Sequence, residues 1–182
     1  ALGILWRDLR EAYGELVRGE RPIIARPRVQ YADYAVWQRE RLTKAVLAEE
    51  IGYWVRALEG APPRTNLPFD RGRRALRQGA SHALLVPPDL ALRIQEAALA
   101  SQSTSFIFLL TALTVALGRW TGDSDLVVGT VVANRPLQEL EEVIGNFINF
   151  LALRTSLTDG ATLGEHLEAT RKRTLAAFSH QE

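Results

Sequence analysis

The spacing of apolar residues divides the chain into helical and extended stretches. Leu2, Leu5, Trp6, Leu9, Tyr13, Leu16 and Val17 recur every three or four positions, with Arg7, Asp8, Arg10 and Glu11 on the other face. That period predicts an amphipathic helix that stops at Gly19. An irregular connection with Pro22 and Pro27 follows, and helical spacing resumes from Tyr31 to about Leu58, in one piece or two. Tyr31, Tyr34, Ala35 and Leu42 mark one stripe of this region; Ile51, Trp54, Val55 and Leu58 mark another. Gly60-Ala61-Pro62-Pro63 ends it.

Residues 61–80 break the periodicity. Arg64, Arg71, Arg73, Arg74 and Arg77 cluster there with Asp70 as the single acid, which reads as a solvated linker ahead of a phosphate-binding patch. Residues 81–86 read as a strand, and Pro87-Pro88-Asp89 opens a helix to about Ala100. Ser103 or Thr104 is placed to cap a helix over 105–120. Its apolar residues wrap all round, which predicts a central position in its lobe. The β-branched run Leu126–Val132 after Asp125 predicts a strand buried on both faces, and 144–157 a second strand. Thr162-Leu163-Gly164-Glu165 has the form of a capping box, starting a helix that runs toward Phe178. The order strand–helix–helix–strand–strand–helix indicates an α/β (α+β) lobe.

Composition narrows the classes. The 182 residues allow one domain or two small lobes, and 47% hydrophobic with 24% charged residues is an ordinary globular balance. The 22 basic and 21 acidic residues leave a net charge of +1, without the concentrated basic face that nucleic acid requires. Cysteine is absent, which removes disulfides, thiol nucleophiles and thiolate metal sites and fits a cytoplasmic protein. Methionine is absent even at position 1, so Ala1 reads as a cleavage point or tag remnant rather than a translation start. The longest apolar run, residues 106–117, is too short for a bilayer and is broken by Thr111 and Thr114, and no signal-peptide pattern opens the chain. No membrane partner is expected.

Little catalytic chemistry is legible residue by residue. His82, His166 and His180 fall in no ligand spacing, so no metal site is expected, and His82 and His166 read as structural. There is no Gly-x-Ser-x-Gly elbow and no phosphate-cradling glycine loop. Gly129 and Gly145 sit in strand patterns, which suggests a bulge or a close backbone approach. Asn149 interrupts the apolar run Phe147-Ile148-Asn149-Phe150-Leu151. A buried amide without partners costs about 1–3 kcal/mol, so it is either a satisfied structural residue or a functional one. Arg135 follows the strand end at Asn134, where ligand-facing polar groups gather, and is equally placed to pair with Glu139, Glu141 or Glu142. On residues alone the chain is a two-lobed domain with a candidate cleft and no identifiable nucleophile or base.

Six short motifs, in order, carry a resemblance. Tyr31-Ala32-Asp33-Tyr34-Ala35-Val36-Trp37-Gln38 resembles the Tyr-x-Asp-Tyr/Phe-Ala-x-Trp-Gln motif of condensation domains from nonribosomal peptide synthetases. Tyr53-Trp54 with Leu58-Glu59-Gly60-Ala61-Pro62, and Leu67-Pro68-Phe69-Asp70-Arg71, are similar to its next two segments. Gly129-Thr130-Val131-Val132-Ala133-Asn134-Arg135 resembles Gly-Thr-Pro-Val-Ala-Asn-Arg, and Ile144-Gly145-Asn146-Phe147-Ile148-Asn149 resembles Ile-Gly-x-Phe-Val-Asn, continued by Leu151, Leu153 and Arg154. His180-Gln181 is similar to the start of the following motif. Leu2-Gly3-Ile4-Leu5 resembles the stretch directly after the family's His-His-x-x-x-Asp-Gly motif, which the 182 residues do not contain. Two departures stand out: Phe150 occupies a position where threonine is common, and Val131 replaces the usual proline.

The resemblance implies two chloramphenicol acetyltransferase-like lobes in a V shape with a tunnel between them. Residues 1–60 would be the helical tail of the N-terminal lobe, 61–80 a linker, and 81–182 most of the C-terminal lobe. Trp6, Trp37 and Trp54 would then lack part of their burial partners. The implied reaction joins a donor acyl or peptidyl thioester to an acceptor aminoacyl thioester. Both are held on phosphopantetheine arms of donor and acceptor peptidyl carrier proteins, with no cofactor bound directly. In the family the second histidine of the absent motif positions or deprotonates the amine. No catalytic residue is therefore assigned in this chain, which is expected to be inactive without the missing remainder of the domain. By position Asn149 would face the tunnel, with Thr130, Asn134 and Arg135 nearby. Tyr31, Asp33 and Trp37 would hold the first lobe together. The alternatives are a non-catalytic condensation-like domain that recruits a partner enzyme, a heterocyclisation or epimerisation relative, and a free-standing acyltransferase using coenzyme A.

Overall fold

A computed structural model of the chain describes residues 2–24, 27–68 and 81–182. Ala1, the arginines at 71, 73, 74 and 77, and the Phe69-Asp70-Arg71 end of the third motif lie outside the described residues. The chain divides into two compact units. Unit one comprises Ala1–Arg56, Val131–Phe150 and Gln181–Glu182; unit two comprises Ala57–Thr130 and Leu151–His180.

In unit one, helix α1 spans Leu2–Val17 and ends before Gly19, whose φ of +76° is a conformation that costs glycine little. The stripe of α1 that the spacing marks for burial is open: Trp6 is 65% and Tyr13 68% exposed. Helix α2 spans Tyr31–Arg41, and α3 runs over Lys44–Leu58, so the helical region breaks at Leu42-Thr43. Asp33 starts α2, its carboxylate accepting the Gln30 backbone N–H at 2.8 Å. Tyr34 is the buried residue of α2 and packs with Leu140, Val143 and Phe147, with Val29 and Trp37 against them.

Unit two is built around three helices: α4 (Pro88–Ala100), α5 (Ser105–Thr121) and α6 (Leu163–Ser179), with α5 packed on both others. Thr104 caps α5 by accepting the Ile107 N–H at 3.3 Å. The capping box of α6 forms as its spacing predicts, with Glu165 accepting the Thr162 backbone N–H at 2.7 Å and Thr162 Oγ1 accepting the Glu165 N–H at 3.3 Å. α5 is not buried all round. Ile107, Leu110, Thr111, Thr114 and Gly118 are buried, while Phe106, Leu109 and Leu113 are about half exposed. The two threonines are tolerated inside because their hydroxyls donate to the carbonyls of Ile107 (2.8 Å) and Thr111 (3.0 Å). The backbone-satisfied threonines and the glycine lie on the buried face with Ile107 and Leu110.

Strands β1 (Asp125–Ala133) and β2 (Ile148–Ser156) pair in a two-stranded sheet. Leu157 N–H donates to Ser124 C=O at 2.6 Å and Asn134 N–H to Phe147 C=O at 3.0 Å, which makes the pair antiparallel. In β2, Leu151, Leu153 and Thr155 are buried alternately, the period of a strand with one inward face. β1 is not buried on both faces as its apolar run predicts, since of its residues Leu126 alone is fully buried. Residues 81–86 form no strand, and Leu84 and Leu85 are 83% and 90% exposed. Strand propensity needs a partner ladder to act through, and these residues have none among the described ones. The mixture of packed helices with a small sheet is the α/β (α+β) class expected.

Candidate functional site

The polar residues singled out around β1 and β2 belong to two units. Asn134 and Asn149 line one small cleft of unit one, of about 220 Å³, together with Tyr31, Tyr34, Gln38 and Asn146. Thr130 belongs to unit two, where it borders an apolar hollow of about 230 Å³ beside Phe106, Leu109 and Leu113.

Asn149 sits in the second position of β2 and is half-buried. Its Nδ2 donates to the Gln181 carbonyl at 2.8 Å, and its Oδ1 accepts the Phe150 N–H at 2.9 Å. Both ends of the amide are engaged, so its plane is held in one orientation while one N–H and one lone pair stay available. Asn134, only 4% exposed, anchors the far end of β1 through its backbone N–H, and its buried Oδ1 has no partner among the described residues. A buried acceptor left in that state costs about 1–3 kcal/mol.

Arg135 does not pair with the carboxylates of Glu139, Glu141 or Glu142 among the described residues. Its guanidinium donates to the backbone carbonyls of Leu140 and, at 2.9 Å, Val143, and lies 4.0 Å above the Phe147 ring. Glu142 is instead bonded to Arg7 at 2.6 Å. Arg135 thus braces the segment between the strands from within.

Tyr31, Asp33 and Trp37 share α2. Tyr31 donates its hydroxyl to the Asn146 carbonyl at 2.9 Å and meets Phe147 edge-on at 5.2 Å between ring centroids. Its ring presses on Gly145: a Cβ there would stand 2.2 Å from Tyr31 Cδ2. The close backbone approach expected at Gly145 is real, and β2 starts at Ile148 rather than at residue 144. At Gly129 a Cβ would meet nothing within 4 Å, so that expectation does not hold. Trp37 packs 5.8 Å from Tyr34 and under the Arg41 guanidinium at 5.3 Å. Burial, and next the negative charge of Glu182, push the Tyr34 phenol above its ordinary value and keep it a neutral group.

Tyr34, Gln38 and Asn146 line the cleft and Gln181 bonds Asn149, and none of these four is a site candidate from the sequence. Tyr34 follows Tyr31 by three positions and Gln38 follows Tyr34 by four, so the α2 spacing is a usable signal for these two. Gln181 lies 32 residues beyond Asn149, with no local pattern joining them. In unit two, Arg154 clamps Asp125 at 2.7 Å and donates to the carbonyls of Ala57 (3.1 Å) and Glu59 (2.7 Å), a hub that its motif position does not reveal.

A family model described as the condensation domain matches residues 1–182, the whole chain. The chain belongs to the condensation-domain family. The family resemblance drawn from the ordered motifs is borne out. One of the linear gramicidin synthase proteins of Brevibacillus parabrevis is 41% identical over 100% of this chain, which covers 4% of that protein. The X-domain from teicoplanin biosynthesis superposes with a TM-score of 0.85 at 31% identity, over 99% of this chain and 42% of that one. The structure of the X-domain with OxyB superposes with a TM-score of 0.84 at 32% identity, over 98% and 41%. This condensation-domain chain therefore spans less than half the length of these relatives, and shares their fold over the part it spans.

Proposed function

We propose that this chain is part of a nonribosomal peptide synthetase condensation domain that joins a donor acyl or peptidyl thioester to an acceptor aminoacyl thioester, each tethered to a carrier protein through phosphopantetheine. One observation carries the proposal: the condensation-domain match runs over every residue, and its motifs occur in order. In the reaction the acceptor nitrogen attacks the donor thioester carbonyl. A C–N bond forms, the C–S bond breaks, the amine gives up a proton and the donor arm leaves as its thiol. Holding two tethered reactants in line is worth about 7–11 kcal/mol of barrier, and proton transfer by a side chain about 10²–10⁴-fold, so positioning is the larger effect.

The contribution of this chain is a wall for that positioning. Asn149, fixed at both ends of its amide, presents a preorganised donor and acceptor to a substrate amide or carbonyl. Asn134 lines the same cleft with a buried acceptor, and Arg135 is the brace that keeps the 137–143 segment in place. The test is Asn149→Ala in the complete domain, followed by product mass with two loaded carriers. Turnover is expected to fall by about 10²-fold, the scale of losing one preorganised group, with the melting temperature retained. An unchanged rate removes Asn149 from the site.

The high TM-score to the teicoplanin X-domain, whose structure includes a complex with OxyB, favours a second reading. In it the parent domain recruits a tailoring enzyme and makes no bond. A parent domain that binds such an enzyme but yields no amide from two loaded carriers supports this second reading over the first.

A further inference from the structure

Asn149 is not oriented by β2 alone. The residues before it, Gly145-Asn146-Phe147, form the bend from which the strand emerges, and that bend is gripped from α2. Tyr31 stands at the first position of the helix, 37% exposed, so it is a modest contributor to the buried core. Its ring instead lies against the Gly145 backbone, where no side chain fits, and its hydroxyl donates to the Asn146 carbonyl at 2.9 Å. Phe147 is pinned between the Tyr31 ring edge and the Arg135 guanidinium. The Asn146 side chain closes the bend by accepting the Ile148 N–H at 3.3 Å. Between this grip and Asn149 there is a single residue, Ile148.

We infer that Tyr31 is a positioning residue for Asn149: its ring and hydroxyl fix the Gly145–Phe147 bend and so set the direction of the Asn149 amide. This rests on the proposed role of Asn149 in condensation. Glycine at 145 and tyrosine at 31 then form one device, a ring and the gap it fills. The lost hydroxyl bond in Tyr31→Phe frees the bend while leaving the ring packed.

The test uses the complete condensation domain with two loaded carriers, with kcat, KM for the acceptor carrier and melting temperature measured for each variant. Tyr31→Phe is expected to lower kcat by about 10- to 100-fold, the scale of a misplacement near 1 Å, with KM and melting temperature near the parent values. Gly145→Ala is expected to lower kcat further, and by a smaller factor in a Tyr31→Ala background, because the clash partner is gone. A parent-like kcat in Tyr31→Phe overturns the inference, as does a loss that appears only in KM or tracks a fall in melting temperature. If Asn149→Ala is impaired while Tyr31→Phe is normal, the inference fails and the proposed site stands. If Asn149→Ala itself is normal, both fall.

Discussion

Gly118 is the glycine of α5, and replacing it by alanine isolates a packing effect from the site. A Cβ at 118 would stand 2.1 Å from Leu157 Cδ1 and 2.9 Å from the backbone oxygen of Asp123. The backbones of both neighbours are held. The Leu157 backbone is tied to Ser124 at 2.6 Å, and Asp123 is held through its carboxylate by Asn66 at 2.8 and 2.7 Å. Leu157 can rotate its side chain, but the Asp123 carbonyl belongs to the turn that ends the helix. Overpacking of this kind costs about 1–3 kcal/mol, while alanine in place of glycine returns about 1 kcal/mol of helix propensity. The net expectation for Gly118→Ala is a loss of about 0–2 kcal/mol, or a melting temperature lower by up to roughly 8 °C for a domain of this size. Gly129→Ala is the control. Its Cβ would meet nothing within 4 Å and its φ is not positive, so it should gain about 0.4–1 kcal/mol from the unfolded chain and melt slightly higher. Thermal scans and urea titrations of both variants measure the two signs. A Gly118→Ala protein that melts above the parent would refute the claimed contact between α5 and the residues around Leu157.

Two further outcomes are expected. The Glu165 carboxyl is held below its usual range, chiefly by the Thr162 backbone N–H and next by the Thr162 hydroxyl. Its folded pKa is the lower one, so its stabilisation is present above the unfolded value of 4.5 and is lost as pH falls through the folded value. Glu165→Gln should therefore lower the melting temperature at neutral pH, by a margin that shrinks below about pH 4.5; a constant margin across an acid series contradicts this. The open stripe of α1, with Leu2, Leu5, Trp6, Leu9 and Tyr13 all exposed, should make the isolated chain self-associate. Sedimentation should show association growing with concentration and reduced by Leu5→Lys with Leu9→Lys, and a monodisperse monomer at all concentrations would count against it.

What was legible in the sequence has a physical boundary. Devices closed within three or four residues were readable, because both partners lie in one window. Thr104 capping α5, the Thr162–Glu165 box and the αL glycine after α1 are of this kind. Burial was read less well. The runs 81–86 and 126–132 both read as strands, yet among the described residues only the second, with five β-branched residues against one, has a ladder partner, and a strand exists through its partner. The face of α5 that is buried was likewise decided by where threonines could satisfy themselves and a glycine could admit Leu157, not by total apolarity.

The candidate site shows the same boundary at larger scale. Asn149 stood out because an amide in an apolar strand contradicts its neighbours, but what fixes it comes from afar: Gln181 at the end of the chain, and Tyr31 acting 115 residues away through Asn146. Those separations carry no periodicity, so they surface in a sequence only as separate short motifs, here the α2 motif and the Ile-Gly-x-Phe segment. The structure joins the two motifs into one mechanical unit. That explains why Gly145 must be glycine although its own backbone needs no positive φ: the constraint is the Tyr31 ring, written in a different motif. A substitution at either residue should therefore be read through the other, and variation at Tyr31 without compensating change at Gly145 is expected to act on Asn149 before it acts on stability.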